Sequence, residues 1–471
     1  MHMLEWTRRV DHSFRLGVLS RAWETLRASY WFLPTCMVVA ASAAALVLLE
    51  LDESLEVHQI RQLPWVQDVG PDGARSLLSS IAGSMITVTG VVFSITIVAL
   101  TLASSQYGPR LLRNFLRDRG NQVVLGAFVA TFLYSLLVLR AVDASRVPHV
   151  ATAGAVALAL ACVFVLIYFC HHAATSIQAS AIIENVVREI ESALGRLFPE
   201  RIGRGALREP EDEGASLRAV PQETRDVLAS ASGYVRAVEP ARLIEIAVEH
   251  DLVVELVMRP GDFAIAGSPL ARAGPAERAG ADVLAALHAC FDVGRFRTPT
   301  QDLTFLTDQL AEMAVRALSS GINDPNTAIA CVHRLGAVLA DVACREMPSP
   351  RRLDDSGRLR LVTRATRFSD IASSCLDPIR RYGARDAAVV EAALAALGAA
   401  SDRCPDPRRR ACLREHAREW GEAFARSDLP RTERERARVA ASLARLSLFA
   451  PLPTGTGQSA GTRVESIAQR E

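Results

Sequence analysis

The stretch "SSIAGSMITVTGVVFSITIVALTLASSQYGPR" spans residues 79–110. It is apolar enough to enter a lipid bilayer, and its reading decides the fold. A helix over about 77–105 extends roughly 43 Å, beyond the hydrocarbon core of about 30 Å, so it must tilt or protrude. On a helical wheel Ser80, Ser84, Thr87, Ser94, Thr101 and Ser105 share an arc of about 100°, with Gly83 and Gly90 on the same side. Isoleucine, valine, leucine and phenylalanine fill the opposite side. Close helix packing is the weightier reading of such a stripe, because small residues let membrane helices approach. The sharper reading is a water-facing lining, in which hydroxyls from several copies surround a narrow path. The helix contains no Asp, Glu, His or Arg. That disfavours a proton relay or an ion-pairing transport site.

Three further runs have the length a membrane crossing needs, about 20 mostly apolar residues. They are "WFLPTCMVVAASAAALVLL" (31–49), "QVVLGAFVATFLYSLLVLRAV" (122–142) and "VATAGAVALALACVFVLIYFC" (150–170). Some thirty residues of charged, aromatic-bearing sequence precede the first run, which argues against a cleaved signal peptide. Arginine placement orients the set. Arg8, Arg9, Arg15, Arg21 and Arg27 precede the first span, and Arg110, Arg113, Arg117 and Arg119 lie between the second and third. Acidic residues dominate 51–76, and 143–149 holds only Arg146. The positive-inside rule then places the N-terminus, the 106–121 loop and everything after residue 170 in the cytoplasm. Within that loop "QYGPRLLRNFLRDRG" (106–120) reads as a short cationic helix lying on the lipid surface.

The 471 residues hold 53 Lys and Arg against 52 Asp and Glu, so no charge excess points to nucleic acid. All 53 are arginines, since lysine is absent. That excludes a phosphate-loop lysine, a pyridoxal Schiff base and a biotin or lipoate attachment site. The nine cysteines form no Cys-x-x-Cys pair, and no zinc or disulfide framework is inferred. Cofactor and metal expectations are therefore none.

Beyond the spans, apolar residues at three- and four-residue steps (Ile183, Val186, Val187, Ile190, Leu194, Leu197) predict a helical stalk over 171–198. The stretch 199–224 reads as a linker and 225–290 as a β-rich piece. The latter offers strands in 232–238 and 251–270, turns at Pro260-Gly261 and Gly267, and a short helix over 241–250. Its Gly-Asp-x-x-x-x-Gly-x-Pro-Leu pattern resembles half of a biotinyl-type barrel, of which only the geometry is retained without lysine. A helical piece over 291–450 follows, with helices near 302–318, 325–343, 358–382, 384–425 and 430–449. The Gly/Ser/Thr-rich end, 451–471, reads as disordered. Residues 1–30 form a cytoplasmic N-terminal segment.

The most distinctive soluble stretch is "FDVGRFRTPTQDLTFLTDQLAEMAVRALSSGINDPNTAIACVHRLGAVLA" (291–340). Asp324 precedes Pro325 and can cap the next helix, while Thr300 or Asp302 can cap the one before. A ligand-binding alternative groups Arg297, Gln301, Asp302, Asn323 and Asp324 around two helix N-termini. No nucleophile motif or metal pattern compels a catalytic reading, so an enzyme is the weakest of the options.

The chain resembles a widespread group of predicted bacterial inner-membrane proteins classed as a domain of unknown function. "MITVTGVVFSITIVALTLASSQYGPRLLRNFLRDRGNQVVLGAFVATFLYSLLVLR", "HHAATSIQAS", "RPGDFAIAGSPL", "RTPTQD" and "ALSSGINDPNTAIA" carry the resemblance, over about residues 30–445. It implies a multi-span membrane protein with a cytoplasmic C-terminal region, and supplies no substrate, cofactor or catalytic residue. The expectation is an α-helical membrane protein with four transmembrane helices plus a cytoplasmic α+β region, a small β-rich piece followed by helices. Its expected partners are the lipid bilayer, further copies of itself, and a small ligand or protein at the cytoplasmic module. The first functional expectation is an oligomeric channel-like or membrane-sensing protein. The second is a non-conducting scaffold or receptor.

Overall fold

The computed structural model describes residues 31–54, 70–108, 119–143, 147–176, 178–197, 221–364, 366–427 and 432–448. The predicted N-terminal segment, most of the cationic surface helix, most of the linker and the C-terminal tail lie outside the described residues. The chain divides into two compact units, residues 1–189 with 319–327, and residues 190–318 with 328–471.

In the first unit the four apolar runs form helices α1 (Phe32–Ser54), α2 (Pro71–Tyr107), α3 (Arg119–Ala141) and α4 (His149–Ser176). At 37 residues α2 is longer than its sequence signal, about 55 Å. Its extra turns come from "PDGARS", where Pro71 suits the first turn of a helix. α3 is the hub: α1, α2 and α4 all pack on it, whereas α1 and α2 share little direct contact. Small residues set the spacing. A Cβ at Gly126 on α3 would meet Met37 Sδ at 2.6 Å and Pro34 Cα at 3.1 Å on α1. One at Gly154 on α4 would meet the Tyr134 hydroxyl at 2.5 Å, and that hydroxyl donates to the Ala151 carbonyl at 2.9 Å. Such close approach is what glycine permits between membrane helices.

Asp52, read in the sequence only as a loop acid, accepts from the amides of Val150 and Ala151 at 3.0 and 2.9 Å. A carboxylate there meets the positive end of the α4 dipole. The predicted stalk is interrupted: α4 ends at Ser176, and a separate helix, α5 (Ala179–Leu197), follows.

The second unit alternates strands and helices: β1 (Arg225–Leu228), β2 (Gly233–Val238), α6 (Pro240–Glu249), β3 (Val253–Leu256), β4 (Phe263–Ala264), β5 (Pro269–Gly274), α7 (Ala281–His288) and β6 (Phe291–Gly294). Next come α8 (Leu303–Ala317), α9 (Pro325–Cys344), β7 (Arg351–Leu353), β8 (Leu359–Val362), α10 (Phe368–Gly383), α11 (Ala387–Arg403), α12 (Pro407–Ala425) and α13 (Glu433–Leu448). Strands order as β1-β5-β3-β8-β7 in one sheet and β4-β2-β6 in another. All pairs are antiparallel except β3 with β8. The residues of the biotinyl-like pattern therefore do not build half a barrel, because β4 and β5 belong to different sheets. Val227, Val235, Leu243, Leu252, Val254, Leu270, Leu287 and Leu361 form the core between strands and helices.

Two departures from the predicted helices have local causes. Residues 351–362 form a hairpin rather than the start of a helix, because Asp354 accepts from the Ser356 and Arg358 amides and turns the chain. The predicted helix 384–425 breaks at Cys404-Pro405, and Asp406 caps α12 through the amides of Arg408 and Arg409.

Among the described residues five helices are long and apolar enough to cross a membrane by length and composition: α1–α4 and α9. α9 is the least apolar of the five, and more than half of its apolar window is buried within the protein.

Candidate functional site

The hydroxyl stripe of α2 has a definite position. The side of α2 that meets its neighbours runs through Leu78, Ala82, Val92, Thr96, Ala99 and Ala103, with Met85 and Thr89 partly buried between them. These recur every three or four residues and form a single seam. Ser80, Ser84, Thr87, Ser94, Thr101 and Ser105 are all exposed, as are Gly83 and Gly90. At 100° per residue their mean direction lies about 180° from the seam. A Cβ at Gly83 or Gly90 would meet nothing within 4 Å, in contrast to Gly126 and Gly154. Four hydroxyls turn back to carbonyls of their own helix: Thr87 to Gly83 and Ser94 to Gly90 at 2.8 Å, and Thr101 to Ile97 and Ser105 to Leu102 at 2.9 Å. The stripe is thus not consumed by packing within its own bundle.

In the second unit "RTPTQD" builds a buried charge cluster ahead of α8. Asp302 caps the helix by accepting from the Phe305 amide at 3.0 Å. Its other oxygen accepts from Arg297 Nε and Nη2 at 2.9 and 2.7 Å, and its side chain is only 4% exposed. Arg297 also donates to Asp308 at 3.0 Å and lies over the Phe305 ring, 5.3 Å from its centre. Burial lowers the guanidinium pKa, but the nearby Asp302 and Asp308 carboxylates outweigh it and raise the net value. Gly261, with φ of +99°, passes so close that a Cβ would sit 2.3 Å from Asp302 Oδ2. Gln301 exchanges two hydrogen bonds with the backbone of Val238, at 3.0 and 2.9 Å. It docks this loop to the end of β2.

Asn323 and Asp324 occupy the 319–327 segment, which groups with the other unit. Asn323 takes a left-handed φ of +50°. Asp324 accepts from the Thr327 hydroxyl and amide at 2.5 and 3.1 Å, and these bonds lower its pKa. The five residues of the predicted ligand cluster therefore divide, three in one unit and two in the other.

Two polar constellations escape the sequence. Arg360, 6% exposed on β8, donates to Asp354 at 2.7 Å and Asp251 at 2.8 Å, stapling the β7–β8 hairpin to the end of α6. Asp377 of α10 and His416 and Glu419 of α12 place one ligand atom each within 4.8 Å of one another. The His416-x-x-Glu419 spacing is visible in the sequence, but Asp377 joins it only through packing of α10 on α12.

Comparison with known proteins places these features in a family. Residues 27–399 match the family described as "Predicted membrane protein (DUF2254)". Uncharacterized proteins of Mycobacterium tuberculosis and Mycobacterium bovis are each 34% identical over 461 residues, covering 94% of this chain and 86% of theirs. No solved structure matches the chain. Long apolar helices, the match over most of the length and full-length relatives agree: the chain belongs to this family of predicted membrane proteins of unknown function.

Proposed function

We propose that this is a four-span protein of the bacterial inner membrane whose copies assemble around the hydroxyl face of α2, forming a narrow, channel-like polar path. The observation that carries this reading is the outward direction of the stripe. Six serines and threonines and two glycines lie on the side of α2 that faces away from its own bundle, interleaved with exposed Val91 and Val98 and flanked by exposed Phe93, Ile95 and Ile97. Lipid tails gain nothing from these hydroxyls, whereas a second copy or water does. α9 is assigned to the cytoplasmic module, since it carries His333, Arg334 and Asp341. Arginine placement supports a cytoplasmic position for both termini. The module regulates the path or binds a small ligand or protein.

A second reading, a non-conducting scaffold or receptor, is favoured by the hydroxyls that already bond their own helix carbonyls. The two separate experimentally. In a background without native cysteines, Ser94→Cys cross-links copies on oxidation and Val92→Cys does not. Liposomes with the wild-type protein pass ions, and Ser94→Leu or Thr101→Leu changes that flux. Cross-linking at Ser94 without flux under voltage, tension or added ligand selects the scaffold. Absence of cross-linking at Ser94 rejects both forms of assembly through this face.

A further inference from the structure

We infer that Asp377, His416 and Glu419 form a binding site for a divalent first-row transition metal, of which Zn²⁺ is the natural probe. His416 is more than nine-tenths buried, with 7% of its surface exposed. Its Nδ1 has no hydrogen-bond partner among the described residues, and neither does Asp377 Oδ1. His416 Nδ1 lies 3.4 Å from Asp377 Oδ1 and 3.7 Å from Glu419 Oε2. A buried polar atom left unpaired is costly and calls for a partner that supplies what the protein does not.

The separations fit a metal. Ligand atoms about 2.0–2.1 Å from a tetrahedral ion lie about 3.3 Å apart along each edge. The Asp377–His416 separation of 3.4 Å already has that value and the His416–Glu419 separation of 3.7 Å is close to it, while all three ligand atoms lie within 4.8 Å of one another, so binding draws the two carboxylates together. One imidazole nitrogen with two carboxylate oxygens is a donor set suited to zinc and its neighbours rather than to calcium or magnesium. The side chains of Asp377 and Glu419 are 29% and 35% exposed, which leaves a solvent-side approach and room for a fourth ligand. Two rigid elements hold the set. His416 and Glu419 are three residues apart on α12, and Asp377 comes from α10 immediately before Pro378.

Arg380 is the competitor. Its Nη2 lies 3.3 Å from Asp377 Oδ1, and its Nη1 pairs with Glu419 Oε2, the same two oxygens a metal would use. In the metal-free protein the guanidinium neutralises the carboxylates, and the ion takes its place. Cys412 lies one turn before His416 on the same face of α12. Its thiol pKa is raised first by burial and then by the Glu419 and Asp377 carboxylates.

The test uses the full-length, tag-free protein in detergent, stripped by chelator and titrated with Zn²⁺ or Co²⁺. Wild type binds an ion that His416→Asn does not. With Co²⁺ it develops the visible absorption of a tetrahedral site. Zn²⁺ raises the unfolding midpoint read from Trp420, one turn beyond His416, by mass action. Affinity falls in His416→Asn by at least the 10- to 100-fold that loss of an outer-shell partner costs. Arg380→Gln, which keeps all three ligands, tightens binding about tenfold by removing a like charge. Equal ion content in wild type and His416→Asn overturns the assignment. So does an Arg380→Gln variant that binds no more tightly than wild type. Should His416→Asn fail to fold, Asp377→Asn and Glu419→Gln, both at partly exposed positions, give the same comparison.

Discussion

Replacing Asp302 by Asn isolates what its charge contributes. Asparagine accepts from the Phe305 amide about as well as aspartate does, so the α8 cap survives. Arg297 does not fare as well. Its side chain is 19% exposed, and it would keep Asp308 as its carboxylate partner. Deleting one partner of a buried ion pair costs about 3–5 kcal/mol, and the remaining carboxylate brings this to roughly 2–3 kcal/mol. In a unit of this size about 1 kcal/mol moves the midpoint by roughly 2–4 °C, so a fall of roughly 4–12 °C is expected. Asp302→Ala also loses the cap and costs roughly 1 kcal/mol more. The readout is built in: four of the five tryptophans lie at or before residue 65, while Trp420 is fully buried in the second unit. Its emission on heating the full-length protein reports that unit. An Asn variant melting within about 1 °C of wild type would refute the view that Asp302 neutralises a buried guanidinium. The double variant Arg297→Met, Asp302→Asn should cost less than the sum of the singles.

Gly261→Ala forces a Cβ into Asp302 at a backbone angle that L side chains avoid, so it should destabilise the unit by at least about 1–3 kcal/mol and lower the same midpoint, measured by the same emission. The pH dependence has a definite sign. The Ser356 hydroxyl and then Arg360 hold Asp354 below its ordinary range, and Arg360 and then Arg278 do so for Asp251. Stability from a lowered carboxylate is complete above its unfolded pKa of about 3.9 and is lost as pH falls toward the folded value. Arg360→Gln should therefore flatten acid unfolding below about pH 4, recorded by circular dichroism across a pH series. Burial pushes the Cys290 thiol up to about 12 and raises that of Cys375, whereas Cys344 is exposed. Iodoacetamide at neutral pH should modify Cys344 well before either buried thiol, as peptide mass mapping would reveal.

Much of this was legible because the signals were local. Apolar runs mark α1–α4, and the three- to four-residue rhythm of hydroxyls marks one face of α2 before any neighbour is known. Asp302 and Asp324 declare themselves as caps by standing ahead of helical periodicity. The β7–β8 hairpin was available too, since "DDSG" separates two short strand-like runs, but its arginines masked the alternation. What could not be read locally depends on chain segments far apart in sequence. Asp52 meets Val150 and Ala151 across almost a hundred residues, and Asp377 reaches His416 only through packing of two helices. Likewise, a wheel finds the stripe, but only the seam on its far side reveals that the bundle leaves it uncovered.

The hub position of α3 constrains how the membrane unit is born. The helices α1 and α2 have almost no surface for one another, so a nascent chain halted after α2 holds two apolar helices that do not stick. Only when the third emerges can the earlier pair find their seats on either flank, and Gly126 must be in place for the first of them to settle. Assembly should thus be concerted rather than stepwise, with a late commitment point near residue 141.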